Sequence, residues 1–148
     1  MTSPSHSIIV ILVSRSLARV IQLFGIYVII HGHYSPGGGF QGGALLAAGI
    51  LLLRMTEGMR NSQAEFPSYI GIPLAAVGAL LFAGVGVVAV LFGGQFLEYA
   101  ALPFPGEAPA LRYYGMLVVE VGIGLAVTAA LVSIFDDLLG GPAGDGDD

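Results

Sequence analysis

The stretch His31-Gly32-His33-Tyr34-Ser35-Pro36-Gly37-Gly38-Gly39-Phe40-Gln41-Gly42-Gly43 can be read in two incompatible ways. Its segment Gly37-Gly38-Gly39-Phe40-Gln41-Gly42 matches G-x-G-x-x-G, and Glu57 follows Gly37 by twenty residues, as in a dinucleotide-binding turn. That pattern works only between a strand and a helix of a βαβ unit. Here an apolar run from Ile8 to Ile30 precedes it, and a second apolar run from Gly42 to Leu53 follows. The stretch therefore reads as a close-packed turn between two membrane helices. Pro36 forbids helix continuation and biases Ser35 away from the helical region. Three consecutive glycines, Gly37, Gly38 and Gly39, permit positive φ and let backbones touch. Irregular backbone at membrane depth survives only where protein or a water-filled cavity satisfies its polar groups. The turn then lies wholly in the interface or is buried against a partner. The plainer alternative, an extracellular loop, does not need so much glycine beside Tyr34 and Phe40.

Composition agrees with the membrane reading. Of 148 residues, 55% are hydrophobic and only 10% charged, with a mean hydropathy of +0.86; soluble domains carry about 25% charged residues. In water such a chain would expose large apolar patches, whereas lipid tolerates them. The chain has no cysteine, which excludes disulfides, zinc–thiolate and iron–sulfur ligation and cysteine nucleophiles within it. It has no lysine, and five arginines carry all the fixed positive charge. With a pI near 4.9 and no basic patch, nucleic acid is not an expected partner.

Four apolar stretches approach the ~20 residues a helix needs to cross a bilayer: Ile8 to Ile30, Gly42 to Leu53, Ile70 to Phe92 and Tyr113 to Phe135. The second is short and needs extension at both ends; a buried or re-entrant segment is its alternative. The predicted fold is all-α, an integral membrane domain of four transmembrane helices over residues 1–139, with a flexible acidic tail over 140–148. The first stretch is too long for a signal-peptide core and carries two arginines, so it is expected to stay in the mature protein. Arg15, Arg19, Arg54 and Arg60 fall on one side of a four-span topology and Arg112 on the other. The positive-inside rule then places both termini in the cytoplasm of a cell (inner) membrane protein. Small residues recur every four positions at Gly71, Ala75, Ala79 and Ala83, and again at Gly122, Ala126 and Ala130. In lipid such stripes allow close helix approach.

Among candidate functional residues Glu120 is the sharpest. It lies inside the fourth apolar stretch, where a carboxylate is costly and marks a functional site or a buried polar pair. It could carry a proton, bind a cation, pair with an arginine of another helix, or make a structural hydrogen bond to a neighbouring subunit. His31 and His33, at i and i+2, do not share a helical face. They serve as proton relays near an interface or as donors to carbonyls freed at the turn; no metal site is assigned to them. Arg15, Arg19 and Gln22 share one face of the first helix, either snorkelling to the interface or facing another subunit. Glu57 and Arg60 read as loop charges, and Asp136 and Asp137 as the solvated end of the fourth helix. No Ser/His/Asp arrangement, paired intramembrane carboxylates or HExxH motif appears, so no catalytic centre and no cofactor are expected.

The thirteen-residue stretch from His31 to Gly43 closely resembles the signature of the MnhB/MrpB family, small subunits of multi-subunit Mrp-type sodium/proton antiporters. The segment Glu120-Val121-Gly122-Ile123-Gly124-Leu125-Ala126-Val127 is similar to the acidic-x-Gly-Val-x-Leu-x-Val stretch of the same family. Size and four-helix layout fit as well. The resemblance implies a non-enzymatic subunit within a hetero-oligomeric membrane complex. Its partners there would be large antiporter-like subunits related to those of respiratory complex I, and other small Mrp subunits. Within such a complex the expectation from the residues is that the segment Pro36, Gly37, Gly38, Gly39, Phe40, Gln41, Gly42 and Gly43 docks the protein against its neighbours and that Glu120 faces an ion path or a subunit seam. The same module occurs in membrane-bound hydrogenases and related ferredoxin-linked ion pumps, which stays open as the alternative parent complex. A rival of a different class is an isolated structural or lipid-binding helical bundle.

Overall fold

The computed structural model of the chain describes residues 7–32, 34 and 38–140. His33, Ser35, Pro36, Gly37, the side chain of Arg60 and the acidic tail from 141 lie outside the described residues. Five α-helices follow in order: α1 (Ile8–Ile30), α2 (Gly39–Glu57), the short α3 (Met59–Ser62), α4 (Gly71–Leu91) and α5 (Ala108–Gly140). Single 3₁₀ turns at Ser68–Ile70 and Tyr99–Ala101 precede α4 and α5. Among the described residues there is no strand, and α1, α2, α4 and α5 are each long and apolar enough to cross a membrane. Pro73 and Pro109 sit in first turns, where a missing N–H has no helical partner to lose. Gly58, at φ +83°, ends α2 in the left-handed region that glycine takes without strain.

The second span is a continuous helix, longer than its apolar core, and it begins at Gly39. Gly39, Phe40, Gln41, Gly42 and Gly43 are therefore helical, which corrects the expectation of a turn running through Gly43. The reason is packing rather than propensity. A Cβ on Gly42 would lie 2.6 Å from the carbonyl oxygen of Gly25 in α1, and one on Gly43 would lie 2.7 Å from that of Gly124 in α5. Only glycine lets α2 approach both neighbours at once.

The spans form a row in the order α1, α2, α5, α4, so α2 and α5 are central and α1 and α4 flank them. α1 runs antiparallel to α2, with Gly25 against Gly42 and Ala18 against Gly49. α4 runs antiparallel to α5, with Gly78 against Gly122 and Gly71 against Ser133. α2 and α5 run parallel, with Gly39 beside Glu120, Gly43 beside Gly124 and Arg54 beside Asp136. The every-four stripe predicted on α4 is corrected here. Ala79 is exposed, and the buried small residues of α4 are Gly71, Gly78, Gly86 and Ala89. A strict four-residue step drifts about 40° around a helix of 3.6 residues per turn, so it leaves the interface within a few steps.

Charges cluster at the end of the row that holds Arg54 and Asp136. The sequence suggests that Arg54 flanks a loop and that Asp136 is a solvated helix end; both are instead buried, with side chains 0% and 7% exposed. Arg54 Nη2 donates to Asp136 Oδ2 (2.8 Å) and to the Phe66 carbonyl (2.8 Å), and Nη1 donates to Ser62 Oγ (3.2 Å). Nε lies 2.6 Å from Asp136 Oδ1, a charge contact in which the N–H does not point along the line. Ser68 Oγ donates to the same carboxylate (2.7 Å). The network thus ties α2, α3, the following loop and α5 together, directly under the apolar cluster of Ala47, Ile50, Phe66, Ala129 and Val132. Arg15 bonds both oxygens of Glu57, the last residue of α2, and Arg19 bonds Glu65. These two arginines pair within the chain; being exposed, their pairs contribute little to stability.

Removing one partner of the buried pair leaves an uncompensated charge, which costs about 3–5 kcal/mol. Asp136→Ala should therefore strongly lower the unfolding midpoint in detergent, whereas Arg54→Met combined with Asp136→Leu should restore most of it. A double variant no better than the single one would show that the charges themselves are required.

Candidate functional site

The two features singled out in the sequence, the glycine segment and Glu120, meet in space. The first N–H groups of a helix have no intrahelical partner. The N-cap of α2 is Gly38, which has no side chain to cap with. Glu120 reaches across from α5 and accepts the N–H of Gly39 through Oε2. A carboxylate here also faces the positive end of the α2 dipole. Both glycines make room for it. A Cβ on Gly38 would overlap the Glu120 carboxylate, and one on Gly39 would overlap the Glu120 carbonyl and approach Ile123 Cβ to 2.9 Å. Glu120 is half-buried, well inside α5.

Two turns further along α5, Thr128 Oγ1 lies 3.0 Å from the Gly43 carbonyl and 2.7 Å from that of Gly124, with its hydroxyl available to both. It is buried, and it fastens α2 to α5 beneath the carboxylate. From the other side, the loop after α4 folds its 3₁₀ turn against α5. The Tyr99 ring fills a notch at Gly115, where a Cβ would lie 2.6 Å from Tyr99 Cδ1. Burial, and after it the negative charge of Glu120, hold the Tyr99 phenol above the ordinary tyrosine pKa. Tyr99 thus feels the Glu120 charge from a different element.

His31 does not join this group. It ends α1, exposed, with Nδ1 3.1 Å from the Tyr27 carbonyl and its ring stacked on Tyr27 at 4.2 Å. That carbonyl already accepts the backbone N–H of His31 (3.0 Å). No group of three or more His, Asp or Glu that could hold a metal occurs among the described residues. Tyr34 and Phe40 are 80% and 66% exposed, so the aromatics of the glycine segment point away from the chain's own core.

A family model for a domain related to the MnhB subunit of Na⁺/H⁺ antiporters matches residues 9–133. The chain belongs to the MnhB family. It is 29% identical over 140 residues to the B subunit of the Na⁺/H⁺ antiporter of Alkalihalophilus pseudofirmus, covering 90% of this chain and 96% of that protein. It is 32% identical over 122 residues to the corresponding Na⁺/H⁺ antiporter protein of Bacillus subtilis, covering 77% of this chain and 85% of that one. It is also 35% identical over 120 residues to the uncharacterized protein MJ1307 of Methanocaldococcus jannaschii, covering 74% of this chain but 45% of that longer protein.

Within this MnhB domain, sequence reasoning misses Thr128, Tyr99 and Gly115. A threonine in an apolar helix and a tyrosine in a loop carry no signal of their own; only the parallel pairing of α2 with α5 and the fold of the loop give them partners. The N–H of Gly39 offers a direct check. Glu120→Ala should leave it unsatisfied and cost about 1–3 kcal/mol, while Glu120→Gln keeps an acceptor in place and should cost much less; equal losses in thermal unfolding would refute the capping bond. Tyr99 offers a second. A pKa raised in the folded state gives stability that is complete below the unfolded value, about pH 10, and lost as pH rises through the folded value. Tyr99→Phe should therefore flatten the loss of melting temperature above about pH 10; an unchanged alkaline limb would count against the burial of a neutral phenol.

Proposed function

We propose that this chain is a non-catalytic small subunit of a multi-subunit sodium/proton antiporter complex, and that Glu120 of α5, beside the start of α2, is where it handles the transported ion. The observation that carries this reading is the carboxylate inside a membrane span, half-buried, held by the Gly39 N–H and in electrostatic reach of the Tyr99 phenol. Such a residue is expensive in lipid unless it has work to do. Sixteen residues of α5 separate Glu120 from Asp136, about 24 Å of helix. With the Arg54–Asp136 level at one face of a ~30 Å hydrocarbon core, Glu120 lies just inside the opposite face. That suits an access point better than a midplane site. The arginine-bearing end is assigned to the cytoplasm, and the Glu120 end faces outward.

The glycine segment takes a different role in assembly from the one its composition suggests. Its described glycines are used within the chain, against α1 and α5. Phe40, exposed on the first turn of α2, is the aromatic surface offered to a neighbouring protein at this end. Glu120→Gln in the intact complex should lower antiport in everted vesicles at every pH while the partner subunits still copurify. Full antiport at all pH values would remove the ion-handling role and leave this chain a structural one.

A further inference from the structure

α2 is a central helix, yet one side of it is open. Gly39, Gly43 and Arg54 face α5, and Gly42 and Gly49 face α1. At about 100° per residue these two contact sides leave a third, on which Phe40, Gln41, Ala44, Ala48 and Met55 fall. Ala44 is partly exposed and the other four are exposed. Gln41 is out of place there. The long polar side chains of Arg15, Arg19, Gln22, Arg54, Glu120 and Asp136 all have hydrogen-bond partners within the chain. Gln41 has none among the described residues. The α2–α5 register sets it level with Gly122, further into the membrane than Glu120. Gly122 lies against Leu81 and Phe82 of α4, and from there α4 continues to Leu91 without a polar side chain.

We infer that the open side of α2 is the seat of a transmembrane helix from a neighbouring subunit, one that presents a Ser, Thr, Asn or Gln side chain to Gln41. An amide carries both donors and acceptor lone pairs, and lipid tails offer partners to neither. Lipid is therefore the wrong cover for this side. Water would satisfy the amide, but Ala44, Ala48 and Met55, which follow along the same side, give water nothing to bond. A helix suits both parts. Polar side chains such as Gln hydrogen-bond across membrane helices, and small residues at i and i+4 let two backbones approach. Ala44 and Ala48 have that spacing, one and two turns beyond Gln41. Unlike Gly42 and Gly43, they are not taken up by α1 or α5. Phe40 extends the same side at its outer end. The inference rests on reading this chain as one subunit of a complex; it does not depend on the role given to Glu120.

The test uses the intact complex purified from membranes. Gln41→Leu and Ala48→Phe both alter side chains that point away from α1 and α5. Each should leave the amount of this chain in the membrane unchanged and lower the partner subunits retained after a stringent detergent wash several-fold. Ala48→Gly should retain them as the wild type does. Benzoylphenylalanine in place of Met55, at the far end of the same side, should photocrosslink to a transmembrane segment of one partner subunit that carries Ser, Thr, Asn or Gln. Full retention by both Gln41→Leu and Ala48→Phe, with crosslinks to lipid alone, overturns the inference. The chain has no cysteine of its own, so Gln41→Cys reports on water: its modification by a membrane-impermeant methanethiosulfonate in the assembled complex also overturns the inference and makes this side a hydrated path. A wild-type chain that copurifies with no other subunit overturns the subunit reading itself, and this inference with it.

Discussion

The open N-terminus of α2 against the flank of α5 is the constraint on which the rest of this structure depends. A helix end inside a membrane carries N–H groups that lipid cannot satisfy. α2 is 19 residues long and α5 is 33, and the two run parallel. The start of the shorter helix therefore lies beside the body of the longer one, within reach of a side chain. Glu120 supplies the acceptor, and glycine at 38 and 39 supplies the space. Neither half works alone: without the carboxylate the N–H is orphaned, and without the glycines the carboxylate has nowhere to sit.

Close approach follows along the same seam. Gly43 meets Gly124, Thr128 binds carbonyls on both helices, and Ala47 and Ala129 are fully buried below them. At the far end Arg54 and Asp136 close the seam with a buried ion pair. The central pair of helices is thus joined by polar contacts at three levels, Glu120 with Gly39, Thr128 with Gly43, and Arg54 with Asp136. α1 and α4 add to this core through glycine contacts of their own and keep broad apolar faces outward.

Much of this is legible in the order of residues. The four spans follow from hydropathy and length, and the membrane setting dismisses the dinucleotide reading of the glycines. Glu120 stands out because a charge in an apolar span is rare and costly. Other features mislead for identifiable reasons. Asp136 resembles a solvated helix end because it borders the polar tail, and Arg54 resembles a loop charge because Glu57 and Arg60 follow it. Burial of both depends on a contact over 82 residues of sequence, which no local pattern reveals. Counting fours places a stripe on α4, while the contact follows the 3.6-residue turn and selects Gly78 and Gly86. The glycine turn ends earlier than its composition suggests. Glycine disfavours helices, but contact with two neighbours outweighs that preference.

The sequence by itself determined the solvent of this protein, the number of its spans, the family to which it belongs and the rarity of a carboxylate within its fourth apolar stretch. These are properties of composition and of local order along the chain. Only the tertiary structure decided that α2 and α5 lie side by side and parallel, that Glu120 faces Gly39, that Arg54 faces Asp136, and that Gln41 lies on the open side of α2. Helix pairing in lipid rests on backbone approach and on a few polar contacts between residues far apart in the chain. The side-chain partners it creates do not exist until the helices have met.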